Sequence, residues 1–322
     1  MSLTNFQNGV SSFGIPIMGG GGIPAMFGQS WFVDYRNGSD DNDGRSTERS
    51  FKTLSKAYSK AVSNRNDLIL IDGDSTVAED SMITWAKNRI HVVGLGGGFL
   101  TGQRTKIGFS TTGKAAAVAA NLTVTGVGNT FSNLKVTNDG TDAASLAALI
   151  DAGEANVYSN CSFLKPGDLG EAAVADVICR SDSTTYVNCE FGFDTLVQTA
   201  ARPTFWIKHD GATRCKHLRM RDCHFTCASS EATKSFILVN HTSSLAFSNV
   251  FTRCTFSNAL VGSAGAAALN DAVTSVSGLL EGNLLFVNPA SDTTEFCSAV
   301  TDQVKTYGPV TSAQAGEAGT PA

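Results

Sequence analysis

Asn160-Cys161-Ser162-Phe163 is followed by Asn188-Cys189-Glu190-Phe191, then by Asp222-Cys223-His224-Phe225 and Arg253-Cys254-Thr255-Phe256. Asn133-Leu134-Lys135-Val136 upstream and Asn283-Leu284-Leu285-Phe286 downstream fit the same frame, so the successive offsets are 27, 28, 34, 31 and 30 residues. Self-similarity at a period of that size marks a stacked repeat. Ahead of most copies lies a second apolar segment: Ala147 to Asp151, Val177 to Arg180, Phe205 to His209 and Phe236 to Asn240. Each unit holds short strands of two-residue alternation joined by polar turns, with no room for a helix. Such a unit is one coil of a parallel β-helix.

The repeat accounts for the cysteines. In Cys-x-Phe the two apolar side chains lie two residues apart on a strand and face the same way, so they stack from coil to coil inside the cylinder. The Asn or Asp before each Cys falls where the chain must bend, and Asn tolerates the left-handed backbone such a corner needs. A ladder of bonded amides through Asn133, Asn160 and Asn188 is expected, broken by Arg253. The eight cysteines are read as reduced, buried thiols. Cys215, His217, Cys223, His224 and Cys227 do not have the spacing of zinc-ligand knuckles, so no metal and no cofactor is expected.

Composition narrows the function. The chain of 322 residues carries 24 Lys+Arg against 29 Asp+Glu, a net charge of −5, with 42% hydrophobic and 16% charged residues. An average soluble domain has about 25% charged residues. Acids outnumber bases and no basic run stands out, which argues against a nucleic-acid partner. No ionisable side chain occurs before Asp34, and residues 1–30 are interrupted by Asn5, Asn8, Gly9, Pro16 and Gly19 to Gly22. That segment has neither the positive start and apolar run of a secretion signal nor the length of unbroken apolar sequence that spans a membrane. It reads as an uncharged arm that orders on a partner.

Between arm and repeat, Trp31 to Asp34 reads as a strand and Tyr35 to Arg45 as a polar loop. Phe51, Leu54, Tyr58, Ala61 and Val62 fall on one face of a helix. Leu68 to Asp72 and Arg89 to Gly94 then start the stack. A helix so placed plugs the open end of the solenoid. The acidic loop Asp40 to Gly44 fails the calcium-loop frame, because Ser39 and Ser50 would occupy its first and last ligand positions. The division is therefore 1–30, extended arm; 31–66, opening strand, loop and capping helix; 67–305, parallel β-helix; and 306–322, flexible tail.

Two segments carry a resemblance. Trp31-Phe-Val-Asp-Tyr-Arg-Asn-Gly-Ser-Asp-Asp-Asn-Asp-Gly-Arg-Ser46, followed by Ser50-Phe-Lys-Thr-Leu-Ser-Lys-Ala57, resembles the opening motif of pectate-lyase-like proteins. It implies an all-β fold: a single-stranded right-handed parallel β-helix with an N-terminal capping helix and an extended arm. Leu3-Thr-Asn-Phe-Gln-Asn-Gly-Val-Ser-Ser-Phe-Gly-Ile-Pro-Ile-Met18 resembles the N-terminal arm of proteins from tailed-bacteriophage structural modules. There such β-helices serve as trimeric capsid decoration (cement) proteins or as tail spikes. The resemblance implies a virion protein on the outer capsid surface, a homotrimer whose partner is the major capsid protein of the same phage. The arm's Phe6, Val10, Phe13, Ile15, Ile17, Met18, Ile23, Met26 and Phe27 would bury themselves on that partner. The alternative is a tail spike or fibre adhesin that binds, and in some cases cleaves, host surface polysaccharide.

Catalysis is the remaining question. Glycoside hydrolysis needs two carboxylates held roughly 5 to 9.5 Å apart. Read in register, the ends of the upstream strands carry Asp151, Arg180, His209 with Asp210, and Asn240 with His241. No two acids share that column in adjacent coils, so no catalytic residue is assigned, and Asp151, Arg180, His209 and Asp210 form at most a binding groove. Trp206 and Phe205, with Arg202, Lys208 and His209, offer an aromatic and basic face for a sugar or a neighbouring subunit, and alternation exposes only one of the two rings.

Overall fold

The computed structural model describes residues 28–73, 79–97, 102–109, 119–140, 144–166, 174–198, 202–209, 215–229, 235–241 and 246–259, with short strand segments on either side. Among them the chain winds through three parallel sheets. One coil runs Ala120–Val124, Thr130–Ser132 and Lys135–Asn138, and the next repeats it as Ala147–Asp151, Val157–Ser159 and Ser162–Pro166. Equivalent strands of successive coils pair in parallel to give sheets of eight, ten and seven described strands respectively. The parallel β-helix expected from the repeat is the fold observed. Two strands per coil are legible in the sequence, and the third is not. Its members Thr130–Ser132, Val157–Ser159, Thr185–Val187 and Arg219–Arg221 are three residues long. Each sends only one side chain inward, too few for a periodic signal.

The core is built of in-register columns. Val136, Phe163, Phe191, Phe225 and Phe256 pair across the seven-stranded sheet. Their rings stack at 5.5 Å for Phe163–Phe191, 4.8 Å for Phe191–Phe225 and 4.7 Å for Phe225–Phe256. Phe131, Tyr158 and Tyr186 stack likewise in the ten-stranded sheet, at 5.2 and 4.7 Å. Burying each such ring removes it from water at a gain of roughly 1.5–3 kcal/mol. Cys161, Cys189, Cys223 and Cys254 lie buried beneath the corner, as the repeat requires. Each thiol faces a carbonyl of the preceding coil, Cys161 that of Phe131 at 3.4 Å and Cys189 that of Tyr158 at 3.4 Å. The last copy needs correction: Phe256 pairs with Leu285, and Ser257 with Phe286. The repeat frame therefore slips by one residue there.

The corner before each Cys is left-handed. Asn133, Asn160, Asn188, Asp222 and Arg253 have φ of 56, 53, 53, 55 and 51°. The amide of Asn160 donates to Asn133 Oδ1 at 3.2 Å and that of Asn188 to Asn160 Oδ1 at 2.6 Å. This is the expected ladder. Arg253 does not simply break the column, because it grips Asp222 through its own fork. A second left-handed corner, at Gly128, Ala155, Ser183 and His217, precedes the three-residue strands. Behind it runs an internal amide ladder that the sequence reading missed. Asn129 Oδ1 accepts from Ile90 N, and Asn156 Oδ1 from Asn129 N, both at 2.9 Å.

At the start of the stack, Ser30–Val33 pairs with Asp67–Ile71, which pairs with Ile90–Gly94. The α-helix Leu54–Lys60 buries Leu54 and Ala57 against the core, and its N-cap Thr53 accepts from Lys56 N. Glu79 takes the first turn, accepting from Leu54 N at 2.6 Å. Lys87 takes the last turn, where Nζ donates to the carbonyls of Tyr58 at 2.6 Å and Ala61 at 2.7 Å. One side chain at each end thus fastens the plug to the first coils. Val62 is not on its buried face: the helix ends before it, and it is 47% exposed.

Candidate functional site

Side chains on the outside of a β-helix are set by alternation, so each sheet offers one outward column per alternate register position. On the eight-stranded sheet Leu149, Val177, Phe205 and Ile237 point in, and Ile150, Ile178, Trp206 and Leu238 pair in register facing out. These outward residues cluster apart from the main core. Alternation separates Phe205 from Trp206 as expected, but the outer ring is not exposed: Trp206 keeps 8% of its surface and Ile178 none. Lys208 Nζ stands 4.7 Å over the Trp206 ring. Arg202 is buried and so offers no basic face to solvent.

Of the residues expected to form a groove, Asp151, Arg180 and His209 do not share a register position. Asp151 pairs with Cys179, and Cys179 with Ile207. Arg180 therefore follows Cys179 by one residue and His209 follows Ile207 by two, which destroys the common register. A slip of one residue on a strand moves a side chain to the other face. Asp151 accordingly lies inside the cylinder, fully buried. Its Oδ2 accepts from Ser181 Oγ at 2.9 Å and from the Tyr186 hydroxyl at 3.3 Å, and its Oδ1 from Asn156 Nδ2 at 3.2 Å. Burial outweighs these donors and pushes the carboxyl up to about 6. Asp151 ends the internal amide ladder and faces no solvent groove. His209 pairs with His241 in the strand register, and Asp210 lies outside the described residues.

The arm residues Phe6, Val10, Phe13, Ile17, Met18, Ile23, Met26 and Phe27 also lie outside the described residues. Ile15 belongs to a two-residue strand, Ile15–Pro16, paired antiparallel with Ser11–Ser12. The acidic loop is a clasp. Asp34 Oδ1 accepts from the backbone N–H groups of Arg36 and Asn37, and Asp40 Oδ1 from those of Lys52 and Thr53, all at 2.9 Å. The carboxylates of Asp34 and Asp40 are thus engaged by protein donors. The five residues considered for zinc diverge as well. Cys215, Cys223 and Cys227 are buried, whereas His217 stands exposed at a corner and His224 occupies an outward register position.

One charged feature escaped the sequence reading. Lys216, His217, Arg219 and Arg221 are separated by Leu218 and Met220, so they make no consecutive basic run. Folding sorts them: Met220 goes into the core, and Arg219 and Arg221 stand exposed on the ten-stranded sheet. Alternation of basic and apolar residues was the signal available.

No family model matches the chain, and no curated protein matches it. Solved structures do. A pectate lyase aligns over 87% of this chain and 74% of its own, at 15% identity and a TM-score of 0.51. A rhamnogalacturonan lyase aligns over 87% and 75%, at 10% identity and a TM-score of 0.47. A pectin methylesterase from Aspergillus niger aligns over 86% and 91%, at 14% identity and a TM-score of 0.45. At such identities the likeness is one of architecture: the chain is an all-β, right-handed parallel β-helix of the pectate-lyase type.

Proposed function

We propose that this protein is a structural component of a tailed-bacteriophage virion, a trimeric decoration protein that attaches to the outer head surface through its N-terminal arm. The bacteriophage setting rests on the sequence of residues 3–18. The structural observation that supports a non-catalytic role is the outer face of the eight-stranded sheet. Its in-register column is Ile150, Ile178, Trp206 and Leu238, closed to solvent at Ile178 and nearly so at Trp206. Of the acids expected at its edge, Asp151 is turned into the core. A polysaccharide-cleaving cleft needs exposed acid or base groups converging on a substrate, and this face offers apolar side chains instead.

The arm supplies the attachment. The nine large apolar residues named for it have no ionisable side chain among or between them, and ordering them on a capsid groove would offset their entropy loss with buried area. A rigid solenoid then stands on the shell as a spacer or clamp. The tail-spike reading shares this architecture, and copy number separates the two. Quantitative gel densitometry of purified particles should give hundreds of copies per virion for a decoration protein. A few dozen copies or fewer would overturn the decoration reading in favour of a spike.

A further inference from the structure

Two thiols meet inside the cylinder away from the corner column. Cys179 Sγ and Cys215 Sγ stand 3.7 Å apart, from residues 36 apart in sequence, and both side chains are buried and reduced. Cys179 ends the strand Val177–Cys179 and is held in register between Asp151 and Ile207 of the neighbouring coils. Cys215 belongs to the turn of the following coil. Beside it, Lys216 donates its N–H to Asp182 Oδ1 at 2.8 Å, and its carbonyl accepts from Ser183 N at 2.7 Å. These two bonds lay that turn on the corner that follows Cys179. The corner thiols are placed differently. Cys161, Cys189 and Cys223 each donate to the carbonyl two residues back, at 3.3, 3.4 and 3.4 Å, and recur once per coil, about 4.8 Å along the stack.

The surroundings of the pair supply a base. Ser181 Oγ donates to Asp151 Oδ2 at 2.9 Å and lies 3.3 Å from Cys179 Sγ, so the Cys179 thiol is the donor in that second contact. Its proton has a two-step path to a carboxylate, and the thiolate, not the thiol, attacks an oxidant. The Cys215 thiol is pushed up, by its contact with Cys179 first and by burial second, which keeps it protonated and leaves Cys179 as the nucleophile. We propose that Cys179 and Cys215 are a modification site, an oxidisable pair that hydrogen peroxide converts into a disulfide joining successive coils. Cys179 passes its proton through Ser181 to Asp151, and its sulfur attacks one peroxide oxygen. The O–O bond breaks, Cys179 becomes a sulfenic acid, and the departing hydroxide recovers the proton as water. The Cys215 sulfur then attacks the sulfenic sulfur, the S–O bond breaks, and hydroxide leaves with the Cys215 proton as a second water. Two thiols are oxidised and one peroxide is reduced. Closing the 3.7 Å gap to an S–S bond of about 2.05 Å moves the sulfurs by less than about 2 Å, within reach of a side-chain rotation.

The test exposes the reduced full-length chain to hydrogen peroxide in native buffer, blocks the remaining thiols and maps the peptides by mass spectrometry without reduction. A loss of two hydrogens per chain is expected, with a linked peptide pair carrying Cys179 and Cys215 that dithiothreitol separates. The cross-linked chain should melt at least about 5 °C above the reduced one, because the bond closes a long loop. In Cys215→Ala, dimedone should label Cys179 as a trapped sulfenic acid, whereas Cys179→Ala should leave Cys215 unlabelled. Asp151→Asn should slow cross-linking at least about threefold by removing the proton acceptor. Where a variant does not fold, the peptide map of the native chain decides alone. Persistence of both thiols in peroxide, linkage of either cysteine to any other, or a melting temperature unmoved by the cross-link would each overturn the proposal.

Discussion

Arg253 holds Asp222 across one coil of the solenoid by two hydrogen bonds, Nε to Oδ1 at 2.6 Å and Nη2 to Oδ2 at 2.8 Å. Both residues are left-handed, at φ 51 and 55°. They continue in charged form the column that Asn133, Asn160 and Asn188 make with amides. The corner is therefore specified by backbone conformation first and by side-chain chemistry second.

That ordering yields a prediction. In Asn160→Gly the left-handed backbone stays comfortable and only the amide bonds are lost, about 1 kcal/mol. In Asn160→Ala the same bonds go and a left-handed alanine adds about 1–2 kcal/mol. Urea denaturation should place alanine below glycine, and equal midpoints would contradict the role given to φ. Arg253→Ala should cost no more than about 1 kcal/mol, because its ion pair is exposed.

The stacked rings carry more. Phe191 is fully buried and lies between Phe163 at 5.5 Å and Phe225 at 4.8 Å. Phe191→Ala should cost about 3–5 kcal/mol, whereas Phe191→Leu, which keeps much of the volume, should cost less than half of that. Thermal melts of the two variants check the ranking.

Asp151 makes stability depend on pH. Its folded pKa of about 6 lies above the ordinary value of about 3.9 in an unfolded chain. Between those values the folded state retains a proton that the unfolded state has lost, so stability falls as pH rises. The contribution is fully present below about pH 4 and gone above about pH 6, a change on the order of 3 kcal/mol. Asp151→Asn should flatten that slope while keeping acceptance from Ser181. Parallel slopes for the two proteins between pH 4 and 6 would show that another group is responsible.

The helix plug tests separately. Glu79 accepts from Leu54 N and from Ser55 Oγ, and burial raises its carboxyl above the usual range despite those donors. Glu79→Ala leaves Leu54 N, at the start of the helix Leu54–Lys60, without its acceptor. Hydrogen exchange over residues 54–60 should then accelerate at least tenfold while exchange in Phe163, Phe191 and Phe225 holds. Equal acceleration in both regions would mean that plug and solenoid open as one unit.

How far these features were legible depends on how many residues announce each one. Cys161-Ser162-Phe163 and its copies put two inward residues in three, so strand, face and stacking follow from the sequence. Tyr158 and Tyr186 are single inward residues between outward neighbours, and their sheet leaves no periodic trace. Asp151 looked like a strand-end residue because the turn after it is polar. Only the register with Cys179 and Ile207 shows that it points in. Arg219 and Arg221 were hidden by the core residue Met220 between them and by a negative total charge. The arm was legible as uncharged and apolar, and the partner proposed for it has no signature in those residues.

The attachment claim is tested most directly by the capsid occupancy of a chain lacking residues 1–28, added to particles stripped of the native protein. The account predicts a folded trimer by circular dichroism and light scattering that leaves the capsids bare, beside full occupancy by the intact chain. Normal occupancy by the truncated chain would contradict it.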